Sequence, residues 1–205
     1  GLAWVDGGLA PFGPGGLVGP LSGRESAQQA ERITLGGVTL ANFGSNDYLG
    51  IAADLPSAEI ATAIAAAGWG AGASPLITGR GVYHARLEQE LAQFEGTEAA
   101  LLFPTGYAAN SGTVASLVGA GDVIFSDALN HASLIDGCRL SGAKVAVYRH
   151  CDAAHLRELL TASQPTGRKL IITDGLFSMD GDLAPLPDIA ELAEKHGAML
   201  LVDEA

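Results

Sequence analysis

The sequence predicts an α/β fold: a mostly parallel sheet with helices on both faces, preceded by an amino-terminal arm and hairpin. Three observations predict it. From residue 83 onward, short apolar runs alternate with segments of helical apolar spacing, the pattern of βαβ units joined by right-handed crossovers. The apolar runs are rich in Val, Ile and Leu and lack polar alternation, as strands covered on both faces require. Glycine, 28 of 205 residues, falls mainly in turns and loops with no fixed period, which suits loop-rich α/β architecture and not a fibrous repeat.

The elements follow in order. Residues 1–24 are dominated by Gly, Pro and Leu without a period and read as an irregular arm. Residues 33–43 read as a hairpin, with Ile-Thr-Leu and Val-Thr-Leu-Ala-Asn-Phe on either side of a Gly36-Gly37 turn. A loop from Gly44 to Gly50 leads to an Ala-rich helix at 57–67, and a Gly-rich loop containing Pro75 fills 68–81. Helices are then expected at 83–94, 108–118, 132–140, 153–161 and 186–196, the fourth capped by Asp152 and the last ending near Gly197. Strands are expected at 99–103, 123–126, 144–148 and 170–173, with a final one in 198–205. The domain boundary is drawn after residue 50: arm and hairpin at 1–50, a larger domain at 51–205.

Composition narrows the function. Hydrophobic residues make up 48% of the chain, enough for a globular core, and the formal net charge is −12. That acidic balance argues against a nucleic-acid surface and against adhesion to anionic membrane. It does not exclude an anionic ligand, because helix N-termini bind phosphate through backbone N–H groups. No apolar run reaches the 18 residues of a membrane span. The opening Gly-Leu-Ala-Trp lacks the basic region of a secretory signal. Cys138 and Cys151 have neither a CxxC partner nor zinc-like His spacing, so the expectation is a reduced, cytoplasmic protein without a metal.

Four segments at strand ends carry groups capable of chemistry. Pro104-Thr105-Gly106-Tyr107 leads from an expected strand into a helix; it reads as a phosphate-holding turn or as an ordinary βα turn. His131, in Asn130-His131-Ala132-Ser133, begins a helix; it reads as an aromatic plate or acid/base group, or as a histidine satisfied by backbone. Ser178 lies in the loop from Asp174 to Asp182 and is placed to donate to a bound ring, while Asp180-Gly181-Asp182 reads as a turn. Asp203 ends the final strand; a carboxylate there needs a cationic ring nitrogen, an Arg, or several donors. Two decoys fail on context. Gly68-Trp69-Gly70-Ala71-Gly72-Ala73 fits a loose dinucleotide fingerprint but follows a helix, which weighs against a nicotinamide dehydrogenase. Asp152 and His155 have metal-like spacing, but Asp152 serves better as a cap. The joint order of the four segments fits a flat, phosphorylated cofactor with a basic ring nitrogen.

The chain resembles the α-oxoamine synthases, pyridoxal-phosphate enzymes of fold type I, over residues 42–205. The resemblance rests on Ser45-Asn46-Asp47-Tyr48-Leu49-Gly50, the Gly-rich loop to Gly79, Thr105-Gly106-Tyr107-Ala108-Ala109-Asn110, Asn130-His131-Ala132-Ser133-Leu134, Phe177-Ser178-Met179-Asp180-Gly181 and Leu201-Val202-Asp203-Glu204-Ala205. It implies the fold of a PLP-dependent transferase, with 51–205 as a PLP-binding large domain. It implies that Gly106 and Tyr107 meet the phosphate through backbone groups, His131 stacks on the pyridine ring, Ser178 meets its phenolic oxygen and Asp203 pairs with its nitrogen. His131 and Asp203 are then the catalytic pair, and Asn46 is a candidate for the substrate carboxylate. The implied reaction joins an amino acid to an acyl-CoA or acyl-carrier thioester with loss of carbon dioxide. The segments 129–141 and 181–187 point to the biotin-pathway branch, which takes L-alanine and a pimeloyl thioester; the glycine and acetyl-CoA branch is the alternative. Members act as homodimers. The lysine that holds the cofactor covalently is expected beyond Ala205, since Lys144, Lys169 and Lys195 lie in the wrong context. The large domain is therefore expected to be incomplete and inactive alone, and a non-catalytic PLP-binding module is the reading of another class.

Overall fold

The computed structural model describes residues 23–26, 31–54, 56–163 and 167–205. The chain divides into two compact units, Gly1–Gly72 and Ala73–Ala205. The boundary drawn from sequence after residue 50 falls inside the first unit. Most of the arm expected at 1–24 lies outside the described residues.

The first unit holds the hairpin. Strands β1 (Arg32–Leu35) and β2 (Val38–Ala41) pair antiparallel with Leu35 opposite Val38. Gly36 and Gly37 form the two-residue turn at φ 55° and 74°. Both angles are left-handed, as a type I′ turn demands, and its twist matches that of the strands. The Thr34 and Thr39 hydroxyls, cross-strand partners, lie 3.2 Å apart. A single 3-10 turn spans Ile51–Ala53, where the sequence predicts no element. Helix α1 (Ser57–Ala67) follows. Its alanines favour a helix at low entropy cost, and it ends at Gly68, φ 84°.

The second unit begins with a π-type turn at Pro75–Gly79 and helix α2 (Val82–Glu95), closed by Gly96 at φ 67°. Then come α3 (Gly106–Leu117), β3 (Val123–Asp127), α4 (Ala132–Ser141), β4 (Lys144–Tyr148), α5 (Ala153–Ala162), β5 (Lys169–Asp174), α6 (Leu186–His196) and β6 (Met199–Asp203). The four strands form one parallel sheet in the order β4-β3-β5-β6. Alternate residues of the same strands feed two cores, as the pleat dictates. Val123, Phe125 and Ile171 pack with Leu156 and Leu160 of α5 and with Ile189 and Leu192 of α6. Ile124, Leu170 and Ile172 pack with Val114 of α3 and with Leu134 and Cys138 of α4. Ile124, Phe125, Leu170, Ile171 and Ile172 are fully buried, each worth about 1.5–3 kcal/mol against exposure. Helices thus cover both faces, as the sequence predicts.

Helices α3 and α4 approach closely at Gly137. A Cβ there would stand 2.9 Å from the Val114 Cβ and 3.2 Å from the Ser111 Cα, with the Asn110 carbonyl oxygen at 3.3 Å. Only glycine admits that spacing.

One expected strand is absent. Residues 99–103 join no sheet among the described residues. Their apolar composition matches a strand, but a strand exists through a ladder partner, and none is paired with them among the described residues. The Leu102 N–H donates instead to the Glu88 carboxylate, 3.2 Å.

Because β3, β5 and β6 run parallel, their carboxyl ends share one edge of the sheet, where ligands bind in open α/β folds. No helix among the described residues is long and apolar enough to cross a membrane.

Candidate active site

The site begins at the first turn of α3. Thr105 caps the helix, its side-chain oxygen accepting from the Ala108 N–H at 3.1 Å. Capping satisfies one of the orphan donors of a helix start. Among the described residues the Gly106 and Tyr107 N–H groups meet no acceptor. Space in front of Gly106 is open, since a Cβ there would touch nothing within 4 Å. The Tyr107 hydroxyl donates to the Asp136 carboxylate on α4, which also takes a 2.8 Å bond from Arg139 Nη1. Those donors, the tyrosine first, hold the Asp136 pKa below its usual range.

One helical turn on, Asn110 links three elements. Its Nδ2 donates to Asp203 Oδ2 at 2.6 Å and to Ser133 Oγ at 3.0 Å. The other Asp203 oxygen accepts the Ala205 N–H at 3.0 Å. Of the three partners considered for this carboxylate, the structure provides neutral donors; among the described residues it has no ion-pair partner.

His131 sits between β3 and α4 and caps that helix. Its Nδ1 accepts from the Ser133 N–H at 3.2 Å and lies 2.6 Å from Ser133 Oγ. Its own backbone N–H donates to both Asp174 oxygens, 3.3 and 3.2 Å. The ring is thereby oriented while the residue stays exposed. Asp174 is buried. Burial pushes its pKa up and the Asp203 charge adds to this, while the His131 N–H offsets part of it. Asn130, also buried, ties β3 to β5: its Nδ2 donates to Ser126 Oγ and the Ile172 carbonyl, and its Oδ1 accepts the Asp174 N–H, all at 3.0 Å.

Ser178 lies in the loop 175–185 after β5. The loop closes on itself through Phe177 N–H to the Asp182 carbonyl, 3.0 Å, and Ala184 N–H to the Gly175 carbonyl, 3.0 Å. Gly181, φ 75°, makes its turn. Ser178 and His131 line the same cleft of about 250 Å³, with Asp174 and Phe177 in its wall.

The structure therefore gathers Gly106, Tyr107, His131 and Asp203 through Asn110 and Ser133, and joins Ser178 to His131 across the cleft. Asn46 belongs to the first unit, in the loop before Ile51–Ala53, where it is exposed. Asp152 is the α5 cap, accepting the His155 N–H at 2.8 Å, and not a metal ligand. Lys144 and Lys169 begin β4 and β5, and Lys195 lies in the last turn of α6 just before β6, at the opposite edge of the sheet. Sequence reasoning missed Asn110 and Asn130 as organisers. Asn110 was findable, since it lies four residues into α3 on the face of Gly106.

Comparison with known proteins bears on this arrangement. The family model for aminotransferase class I and II matches residues 38–205. An 8-amino-7-oxononanoate synthase from Anaeromyxobacter sp. (strain Fw109-5) is 51% identical over 206 residues, covering 100% of this chain and 51% of that protein. One from Geobacter sulfurreducens is 51% identical over 182 residues, covering 88% of this chain and 46% of that protein. A serine palmitoyltransferase from S. paucimobilis, solved with bound PLP and myriocin, superposes with TM-score 0.87 at 34% identity, covering 100% of this chain and 54% of that one. The chain spans about half the length of the curated relatives it matches.

Proposed function

The chain belongs to the aminotransferase class I and II family, and from that membership we propose that the whole protein carrying it is a PLP-dependent acyltransferase. Its reaction is the decarboxylative condensation of L-alanine with a pimeloyl thioester, a reading supported by relatives at 51% identity that are named 8-amino-7-oxononanoate synthase. The residues present fit the cofactor. A helix start with two free N–H groups suits a phosphate. An exposed, oriented imidazole suits the face of a ring. A carboxylate whose partners among the described residues are neutral donors has no competing ion pair and suits a cationic ring nitrogen. That last feature, Asp203 bonded to Asn110 and Ala205, carries the reading.

When bound, PLP supplies an electron sink for charge developing on an amino acid's α-carbon. The protein's own part is to hold and orient. Gly106 and Tyr107 would offer their N–H groups to the phosphate, helped by the helix dipole. Asp203 would hold a proton on the pyridine nitrogen, its carboxylate oriented by Asn110. His131, its imidazole oriented by Ser133, would offer its face to the ring. Ser178 would donate to the phenolic oxygen. The exposed apolar residues Leu76, Phe94 and Leu101 support a homodimer, and free Cys138 and Cys151 support a cytoplasmic location.

The test is a thiol-release assay on the whole protein, with pimeloyl-CoA and L-alanine against acetyl-CoA and glycine. Preference for the first pair is expected. Preference for the second would move the protein to the glycine C-acetyltransferase branch. No release with either, alongside PLP binding, would leave a non-catalytic module.

A further inference from the structure

The turn 149–152 after β4 reaches across the sheet edge to the Ser178 loop, through a group that the proposed chemistry does not use. His150 Nδ1 lies 2.9 Å from Asp127 Oδ1, at the end of β3. Its Nε2 lies 2.7 Å from Asp182 Oδ2, in the loop 175–185. The ring meets Phe177 edge to face, centroids 4.4 Å apart and planes at 88°. Phe177 is buried and immediately precedes Ser178. One imidazole thus spans two carboxylates on different elements while its edge rests on the residue next to the serine.

Both ends of this bridge are prepared. Asp127 is 2% exposed and also accepts the Leu129 and Cys151 N–H groups, each at 2.9 Å. It is a fixed post. The Cys151 backbone sits at φ 53°, a left-handed angle unusual for a residue with a side chain, so the turn is held in a costly shape by the Asp127 bond. The Cys151 thiol adds a 3.6 Å contact to the Leu183 carbonyl on the same loop. Asp182, in contrast, is 45% exposed. It is tied back to Phe177 through its carbonyl. Asp127, Asp182 and the Cys151 thiol are the titratable groups that face the ring. A carboxylate stands at each ring nitrogen, so the protonated ring donates at both ends.

We propose that His150 is a positioning residue, which holds the loop 175–185 and with it the Ser178 hydroxyl against the carboxyl edge of the sheet by bridging Asp127 to Asp182. This rests on the reading above that Ser178 meets the phenolic oxygen of PLP. The bridge itself does not need the cofactor. A loop whose serine must meet one oxygen gains from a second anchor, because small displacements at such a contact are expensive.

The experiment compares His150→Phe, Asp182→Ala and Ser178→Ala in the whole protein. His150→Phe keeps a ring against Phe177 and removes both bonds. Asp182→Ala cuts only the exposed end, so it tests the bridge even where the first variant fails to fold. Without cofactor, hydrogen exchange at the Phe177 and Ala184 amides is expected to rise about tenfold in both bridge variants, with β5 unchanged. In a PLP titration both are expected to weaken binding about tenfold and to move the bound absorption band as Ser178→Ala does. Placed on Ser178→Ala, they add less than about twofold. Unchanged loop exchange in Asp182→Ala overturns the bridge. A loosened loop with the affinity and band of unmodified protein overturns the positioning role. Absence of PLP binding in unmodified protein removes the reading beneath and that role with it, a result the exchange data keep apart from loss of the bridge.

Discussion

Asp174 and Asp203 are register partners across the parallel β5–β6 ladder, so two carboxylates stand side by side at the edge where the proposed ring nitrogen sits. They are held differently. Asp174 is buried and spends both oxygens on the His131 N–H. Asp203 takes its bonds from Asn110 and Ala205. One carboxylate organises the histidine, and the other is left for a cation.

That pairing predicts that stability and function separate. The folded pKa of Asp174 is raised, first by burial and also by the Asp203 charge. The folded chain therefore holds its proton longer, and stability falls as pH rises from the unfolded value through the folded one. Asp203→Asn removes one cause. At neutral pH the repulsion relieved, about 1 kcal/mol, is set against one of the two bonds from Asn110 and Ala205, which the new amide nitrogen cannot accept, so the Tm of cofactor-free protein is expected to move by no more than roughly 2–4 °C at neutral pH and still less in acid. Thermal melts at the two pH values check this; an equal change at both would point to lost packing instead.

The same substitution is expected to cost activity in the whole protein by about a hundredfold or more, since a neutral amide cannot hold the ring proton. Ser178→Ala is expected to cost about tenfold. A near-normal rate for Asp203→Asn would make the residue structural only.

No lysine of this chain is expected to become the covalent anchor. Lys144 and Lys169 start their strands, and Lys169 Nζ donates to the His196 carbonyl at 3.3 Å. Borohydride reduction of a mixture with PLP, followed by peptide mapping, is expected to show no stoichiometric label on Lys144, Lys169 or Lys195. A single fully labelled site among them would refute the placement.

Gly137→Ala is expected to destabilise by about 1–3 kcal/mol. Alanine favours a helix by about 1 kcal/mol over glycine. The contact with the Val114 Cβ at 2.9 Å, on the facing helix, outweighs that gain. Since the new methyl also crowds the Asn110 carbonyl, PLP affinity is expected to drop alongside the denaturant midpoint. Unfolding curves and a titration on the same preparation read both.

The His150 bridge carries its own pH signature. Its pKa is raised, first by the bond to Asp127 and then by Asp182. The contribution to stability is fully present below the unfolded value of about 6.5 and is lost as pH rises through the folded one. Loop amide exchange, corrected for intrinsic rates, is expected to quicken across that window in unmodified protein and not in Asp182→Ala.

Much of this was legible in the residues. The spans Ser57–Ala67, Lys144–Tyr148 and Leu186–His196 coincide with the elements read from periodicity, because each is bounded by its own cap, Gly or charge. Residues 99–103 were misread because propensity is local and pairing is not. Among the site residues, the strand-end Asp203 and helix-start His131 and Gly106 follow from chain order. The ties between them do not. Asn110 meets Asp203 across 93 residues and His150 meets Asp182 across 32, and no spacing rule reaches that far.

The strand that bears Asp203 is also a margin. Among the described residues β6 pairs only with β5, so its other side presents a row of unpaired amides and carbonyls. Met199, Leu200, Leu201 and Val202 place no charge along that row. On the far margin, β4 starts with Lys144, the kind of residue that discourages edge-to-edge addition. Produced by itself, the chain thus carries one guarded and one adhesive border. Edge-to-edge addition would start at β6 rather than at β4, which makes the residues leading to the candidate ring-nitrogen partner the first to gain from a covering strand.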